Sequence, residues 1–317
     1  MITEELLELL PKLASEDSPI PVDEFSAISD MNREDFAAFL EVWGTLSINR
    51  KRALIEVLGK QADEHIELNF ELINRTGLSD DDEIVRRIAI RNLWECKDPD
   101  LIEIYLRSLS EESSSEVRIA AADALGRYVL LGELEEISPE QHREIEDALI
   151  SALEEDAFIL LQQSCIEALG YSSRAESERI ISRAYESEDP DIRKSAVLAM
   201  GRSYNQDWEP QVLQEMTSHY PGIRTEAARA AGELELRTAV DALIELLEDV
   251  HTGVQQAAIW SLGQIGGNRA EEALIALQDM IEEEEMLQAI EDALDHLAFL
   301  KGSPDFALLD FEGPDLE

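Results

Sequence analysis

The side chains of this chain best equipped for chemistry are five histidines, His65, His142, His219, His251 and His296, and two thiols, Cys96 and Cys165. A zinc or iron site needs imidazoles, thiolates or carboxylates at spacings that one helix or loop draws together, as in H-E-x-x-H or paired C-x-x-C. None of the seven residues has such a spacing. His296 and Asp292 stand four apart, a pair one helical face accommodates, but helical surfaces hold many such pairs. Cys165 has no nearby His or Lys in sequence to lower its thiol pKa and reads as a small core residue. Ser113–Ser115 and Ser164 lack the strand–turn–helix setting of a nucleophile elbow. The run IEEEEM at 281–286 spreads carboxylates around a helix instead of converging them as a calcium loop does. No G-x-G-x-x-G or Walker sequence is present to cradle phosphate. Catalytic residues, cofactor ligands and metal ligands are therefore all assigned as none.

Composition narrows the partner classes. Seventy acidic against 26 basic residues give a formal charge of −44 over 317 residues. Such a field favours solubility and opposes nucleic-acid backbones and anionic membranes. Two cysteines make no disulfide framework for a chain of this length, the start MITEELLELLPKL lacks the basic flank and apolar run of a signal peptide, and no stretch nears eighteen apolar residues. The expectation is a cytoplasmic protein without a membrane span, and a monomer.

The elements that must position any site announce themselves by period. With a branched or aliphatic anchor at Val85, Val117, Leu161, Ile192, Ile223 and Val254, the chain reads VRRIAIRNLW, VRIAAADALG, LQQSCIEALG, IRKSAVLAMG, IRTEAARAAG and VQQAAIWSLG. The anchors are 32, 44, 31, 31 and 31 residues apart. Three successive intervals of 31 mark an internal repeat. Within each copy the anchor, the residue four on and the pair seven and eight on share one helical side. Ala121, Cys165, Ala196, Ala227 and Ala258 hold the central small position. Gly126, Gly170, Gly201, Gly232 and Gly263 fall near the expected helix ends, where positive φ suits a C-cap. A second apolar pattern between the anchors, such as AVDALIELLEDV, supplies another helix per repeat. One pair cannot bury its apolar faces alone, so the reading is an all-α superhelix of stacked pairs, elongated and curved.

The pattern D-x-x-V-R-x-x-A-x-x-A-L-G resembles HEAT repeats, particularly the short HEAT-like repeats associated with phycobilisome lyases, over roughly Asp80 to Leu297. The resemblance implies a HEAT-like α-solenoid whose arginine-bearing helix lines the concave side. It also implies a structural ladder of arginines, Arg86, Arg118, Arg193 and Arg224, bridging to turn acids of neighbouring repeats. Gln162 and Gln255 interrupt that ladder, and Trp94 replaces the glycine. The paired HE motifs of the iron-dependent hydroxylases that share this architecture are missing.

Around the array, residues 1–46 read as a helical N-terminal cap with Phe39 and Trp43 in its core, and 47–79 as a degenerate repeat and junction. Residues 80–301 form the array. The longer interval places a loop insertion near 127–144, with Glu133, Glu135 and Glu136 facing water. Residues 302–317 read as an acidic flexible tail, with Phe306, Leu308, Leu309 and Phe311 as the alternative means of anchoring it.

Six residues past the anchor, successive repeats present Leu198, Arg229 and Trp260, with Lys194 and Arg202 nearby. The face is mixed in charge, not a basic track, so a protein is a better partner than nucleic acid. Arginine and tryptophan anchor protein interfaces. The competing reading packs Leu198 and Trp260 into the core. The function expected is a non-enzymatic protein–protein interaction scaffold or adaptor. The alternative is a lyase-like or chaperone-like accessory acting on a bilin-bearing or other partner protein.

Overall fold

A computed structural model describes residues 2–16 and 19–302. The tail expected from 302 onward lies outside the described residues but for Gly302. All regular structure among the described residues is helical. The chain divides into two compact units, Met1–Leu161 and Gln162–Glu317. The first holds α1 (Glu4–Ala14), a 3-10 segment (Val22–Ile28), α2 (Arg33–Trp43), α3 (Ile48–Glu64), α4 (Glu71–Gly77), α5 (Glu83–Asn92), α6 (Asp100–Glu111), α7 (Ser115–Glu133) and α8 (Pro139–Glu155). Helix α9 (Ile159–Leu169) carries the chain from one unit to the next. The second holds α10 (Ala175–Tyr185), α11 (Pro190–Arg202), α12 (Glu209–Glu215), α13 (Pro221–Glu233), α14 (Val240–Leu246), α15 (Thr252–Ile265), α16 (Asn268–Gln278) and α17 (Glu284–Gly302).

Local chemistry explains where the anchor-bearing helices start. The Asp82 carboxylate accepts from the amides of Ile84 and Val85, and Asp189 from those of Asp191 and Ile192. Pro190 and Pro221, which lack an amide proton, open α11 and α13 at no hydrogen-bond cost. Val85, Val117, Leu161, Ile223 and Val254 are buried, as are Ala121, Cys165, Ala196, Ala227 and Ala258. In the second unit α11 packs on α13, α13 on α15 and α15 on α17, each with its shorter partner helix alongside. This is the helix-pair stacking of an α-solenoid.

The repeated glycines do something other than cap. Gly126, Gly201, Gly232 and Gly263 lie inside helices, and none of them has positive φ. For Gly170, Gly201, Gly232 and Gly263 the role is clearance. A Cβ on Gly170 would lie 2.8 Å from the Ala199 Cα, on Gly201 2.9 Å from the Ala230 Cα, and on Gly232 3.0 Å from the Ser261 Cα. On Gly263 it would lie 2.9 Å from the Ala293 Cβ. Backbones at that separation admit only hydrogen between them. The left-handed cap falls later, on Glu235 (φ 51°), where the Leu236 amide donates to the Ala231 carbonyl and the Glu235 amide to that of Gly232. That is a Schellman turn closed by a residue with a side chain, and Glu135 closes α7 in the same way.

Nor is the long interval a loop. Helix α7 runs 19 residues and α8 17, against 13 each for α11 and α13. The added turns bury Tyr128, Val129 and Leu131 on α7, so they stay helical. Ser138 and Gln141 form a reciprocal capping box at the start of α8. Glu135 and Glu136 face water, whereas Glu133 is half-buried.

The arginines after the anchors tie turns together. Arg224 Nη1 donates to the Ser218 carbonyl at 2.7 Å, while its Nε and Nη2 grip both oxygens of Asp249 at 2.7 and 2.9 Å. Arg86 does the same with the Asp80 carbonyl and both oxygens of Glu112, each at 2.8 Å. Arg118 donates to the Leu109 carbonyl and pairs with Asp156. Arg193 reaches the Ser187 carbonyl, with Glu215 at a looser 4.0 Å. Gln255 keeps only the carbonyl half, donating to Asp249 O at 2.7 Å. Arg52, earlier in the chain, grips Asp82 through two hydrogen bonds. In the N-terminal region Phe39 and Trp43 are buried, and the Trp43 indole donates to Asp80.

These hydrogen bonds hold the carboxyls of Asp82, Glu112 and Asp249 below their ordinary pKa, in each case chiefly through the guanidinium. An acid with a depressed folded pKa contributes stability that is full above its unfolded value, about 4, and is lost as pH falls through the folded value. Arg224→Ala should therefore cost about 1.5–3 kcal/mol near neutral pH. The gap to wild type should narrow below about pH 4 in chemical denaturation, as Asp249 protonates. A second expectation concerns clearance. Gly232→Ala should destabilise by about 1–3 kcal/mol through overpacking. Glu235→Gly should stabilise by up to about 1 kcal/mol, because it relieves a left-handed residue. Thermal melts of the two variants give opposite signs only if the glycine is needed for space and not for φ.

Candidate functional site

The anchor-bearing helices of the second unit place Leu198 on α11, Arg229 on α13 and Trp260 on α15 at equivalent points, 31 residues apart. Leu198 is half-buried, Arg229 is exposed and Trp260 is 42 % exposed. The tryptophan is not a core residue. Its ring edge rests over Gly232, where a Cβ would come within 2.7 Å of Cζ3, so the same glycine that admits α15 also seats the indole.

Charges of both signs surround the row. Arg229 Nη1 lies 3.4 Å from Glu226 one turn earlier. Arg202 Nη1 donates to the Glu167 carbonyl at 2.9 Å, at the end of α9, where cations are favoured. Its guanidinium carbon lies 5.0 Å from the centre of the Tyr171 ring. Lys194 is half-buried on the first turns of α11, and Ser195 donates to Glu167 Oε1 at 2.7 Å. Burial raises the carboxyls of Glu226 and Glu233 despite the neighbouring arginines. The face thus sets Lys194, Arg202 and Arg229 among Glu167, Glu226 and Glu233. It is close to balanced in charge on a chain that is not. Such a surface can bury an apolar side chain on the indole and offer Arg229 to a carboxylate. It has no cationic track along which a phosphate backbone could run.

Most of the residues first considered for chemistry belong to no group of three potential metal ligands among the described residues. Cys165 is buried in the core, and Cys96 is half-buried with Arg75 Nη2 at 3.8 Å from its sulfur. His251 lies beside the Arg224–Asp249 pair of the ladder, its Nδ1 3.3 Å from Asp249 Oδ1 and 3.5 Å from Arg224 Nη2. His142 is the exception. The fold brings Glu133 and Glu146 to it, with one ligand atom from each of the three residues within 4.8 Å of the others. Sequence spacing hid this group, because nine residues and a turn separate Glu133 from His142. The signal available was the i, i+4 pair His142 and Glu146. No described helix is long and apolar enough to cross a membrane.

A sequence profile described as HEAT repeats matches residues 71–138, 146–221 and 209–295, together more than half the chain. No curated protein sequence matches it. Among solved structures, yeast importin-β aligns over 96 % of this chain and 47 % of its own, at 10 % identity and a TM-score of 0.52. The complex of CpcE and CpcF of phycocyanin lyase from Nostoc sp. PCC7120 aligns over 72 % and 94 %, at 17 % identity and a TM-score of 0.46. Human deoxyhypusine hydroxylase aligns over 93 % and 96 %, at 18 % identity and a TM-score of 0.39.

Proposed function

The chain belongs to the HEAT-repeat family, and on that premise we propose that it is a protein-binding scaffold whose partner docks on the row Leu198, Arg229 and Trp260, flanked by Lys194 and Arg202. The observation that carries this reading is the exposed indole of Trp260, seated on Gly232 of α13, with exposed Arg229 one turn before that glycine on the same helix. Tryptophan and arginine dominate interface energetics because each buries much area and brings one directional polar group. A seated ring also loses little conformational entropy on binding. The partner surface that fits offers an apolar side chain to Trp260 and a carboxylate to Arg229. The −44 field of the whole chain steers a partner of net positive charge towards it, and the local arginine then selects the acid on close approach.

The test uses the full chain as bait in extract of its source organism, alongside Trp260→Ala and Arg229→Glu variants of unchanged helicity and melting temperature. A specific partner should be recovered by wild type and weakened about tenfold or more in each variant, roughly 1.4 kcal/mol of binding energy. Recovery of the same partners at the same affinity by both folded variants would overturn the assignment of this face.

A further inference from the structure

The turn that joins α7 to α8 gathers an imidazole and two carboxylates. His142 stands in the first turn of α8, Glu146 one turn later on the same face, and Glu133 is the last residue of α7. His142 Nε2 lies 3.6 Å from Glu146 Oε1 and 3.8 Å from Glu133 Oε1. Both separations exceed a hydrogen bond, and the buried Nε2 has no hydrogen-bond partner. Two donors on one tetrahedral ion, each at about 2.0–2.1 Å, stand about 3.3 Å apart. The observed separations are within about half an ångström of that value. The group is sheltered: Glu146 is 3 % exposed, His142 17 % and Glu133 25 %.

Gly132 makes room for the group. A Cβ there would fall 2.2 Å from His142 Cγ, so any larger residue would displace the imidazole. Gly132 is helical and has no positive φ, which leaves clearance for the ring as the reason for glycine. The extended ends of α7 and α8 therefore meet around an imidazole flanked by two carboxylates.

We propose that Glu133, His142 and Glu146 bind a divalent transition-metal ion of the zinc class, clamping the α7–α8 turn. One imidazole and two carboxylates suit Zn²⁺ better than calcium or magnesium, which take oxygen donors, or copper(I), which seeks sulfur. Water completes the coordination. The negative field of the chain raises the local concentration of cations around the site. The role is structural: the ion replaces repulsion between two sheltered carboxylates with a bond from each to a common centre.

The full chain, stripped of metal with a chelator, is titrated with Zn²⁺ by calorimetry and followed by thermal melting. So acidic a surface also takes up zinc weakly at many places, so the diagnostic is one saturable, tighter step per chain with a rise in melting temperature. That step should weaken roughly tenfold to 100-fold in Glu133→Gln and in His142→Gln with helicity retained. Gly132→Ala, which changes no donor, should weaken it too. Should His142→Gln fail to fold, Glu133→Gln, at the more open edge of the site, decides. Weak uptake alike in wild type and variants would overturn the proposal. A tight step that survives both donor substitutions would overturn it as well.

Discussion

Between successive anchor-bearing helices of the second unit there is no space for a methyl group. Four times in a row, a glycine nine residues after the anchor faces the backbone of the next such helix at a distance that a Cβ would violate. The facing residues are Ala199, Ala230, Ser261 and Ala293, so the small partner recurs as regularly as the glycine. At this separation the helices touch through backbone and Cβ atoms, and interior density is reached without long side chains. Ser261 adds a buried hydrogen bond to the Ala228 carbonyl at 2.7 Å, available only because the helices are so near.

That contact fixes register, and register decides what faces outward. Because Gly201, Gly232 and Gly263 lock α11, α13 and α15 at one phase, the residue three positions before each glycine is carried to the same outer line. Those residues are Leu198, Arg229 and Trp260. Gly232 serves both ends of this relation, since it meets Ser261 on its buried side and supports the Trp260 ring beside it. The arginine ladder works at the helix starts instead. There Arg86, Arg118 and Arg224 each join a carbonyl of the preceding turn to an acid one repeat on. Dispersion at the helix ends and charge-assisted hydrogen bonds at their starts thus hold the same stack at two points.

Much of this was legible in one dimension. A period of 31 with apolar residues at helical spacing specifies helix pairs, and Asp82 and Asp189 mark helix starts by chemistry that needs no tertiary context. Two features were legible only as positions. A glycine late in a helix looks the same whether it caps the helix or clears a neighbour, and the φ that separates the cases belongs to Glu235. Extra residues between anchors look the same whether they loop out or lengthen both helices. Here burial of Tyr128, Val129 and Leu131 decided for helix. Ladder acids such as Glu112 and Asp249 lie 26 and 25 residues from their arginines, a distance only the stack closes. The same limit hid Glu133 from His142. Trp260 was undecided between core and surface, because a helix with small residues on its contact side gives no clear hydrophobic edge.

If the glycine contacts are what bind the second unit into one body, its helices should not open singly. Native-state hydrogen exchange in rising denaturant measures this directly, amide by amide. The account predicts that the most protected amides of α11, α13 and α15 converge on one opening free energy and one denaturant dependence. A separate opening of α13, at lower free energy than those of α11 and α15 on either side, would contradict it.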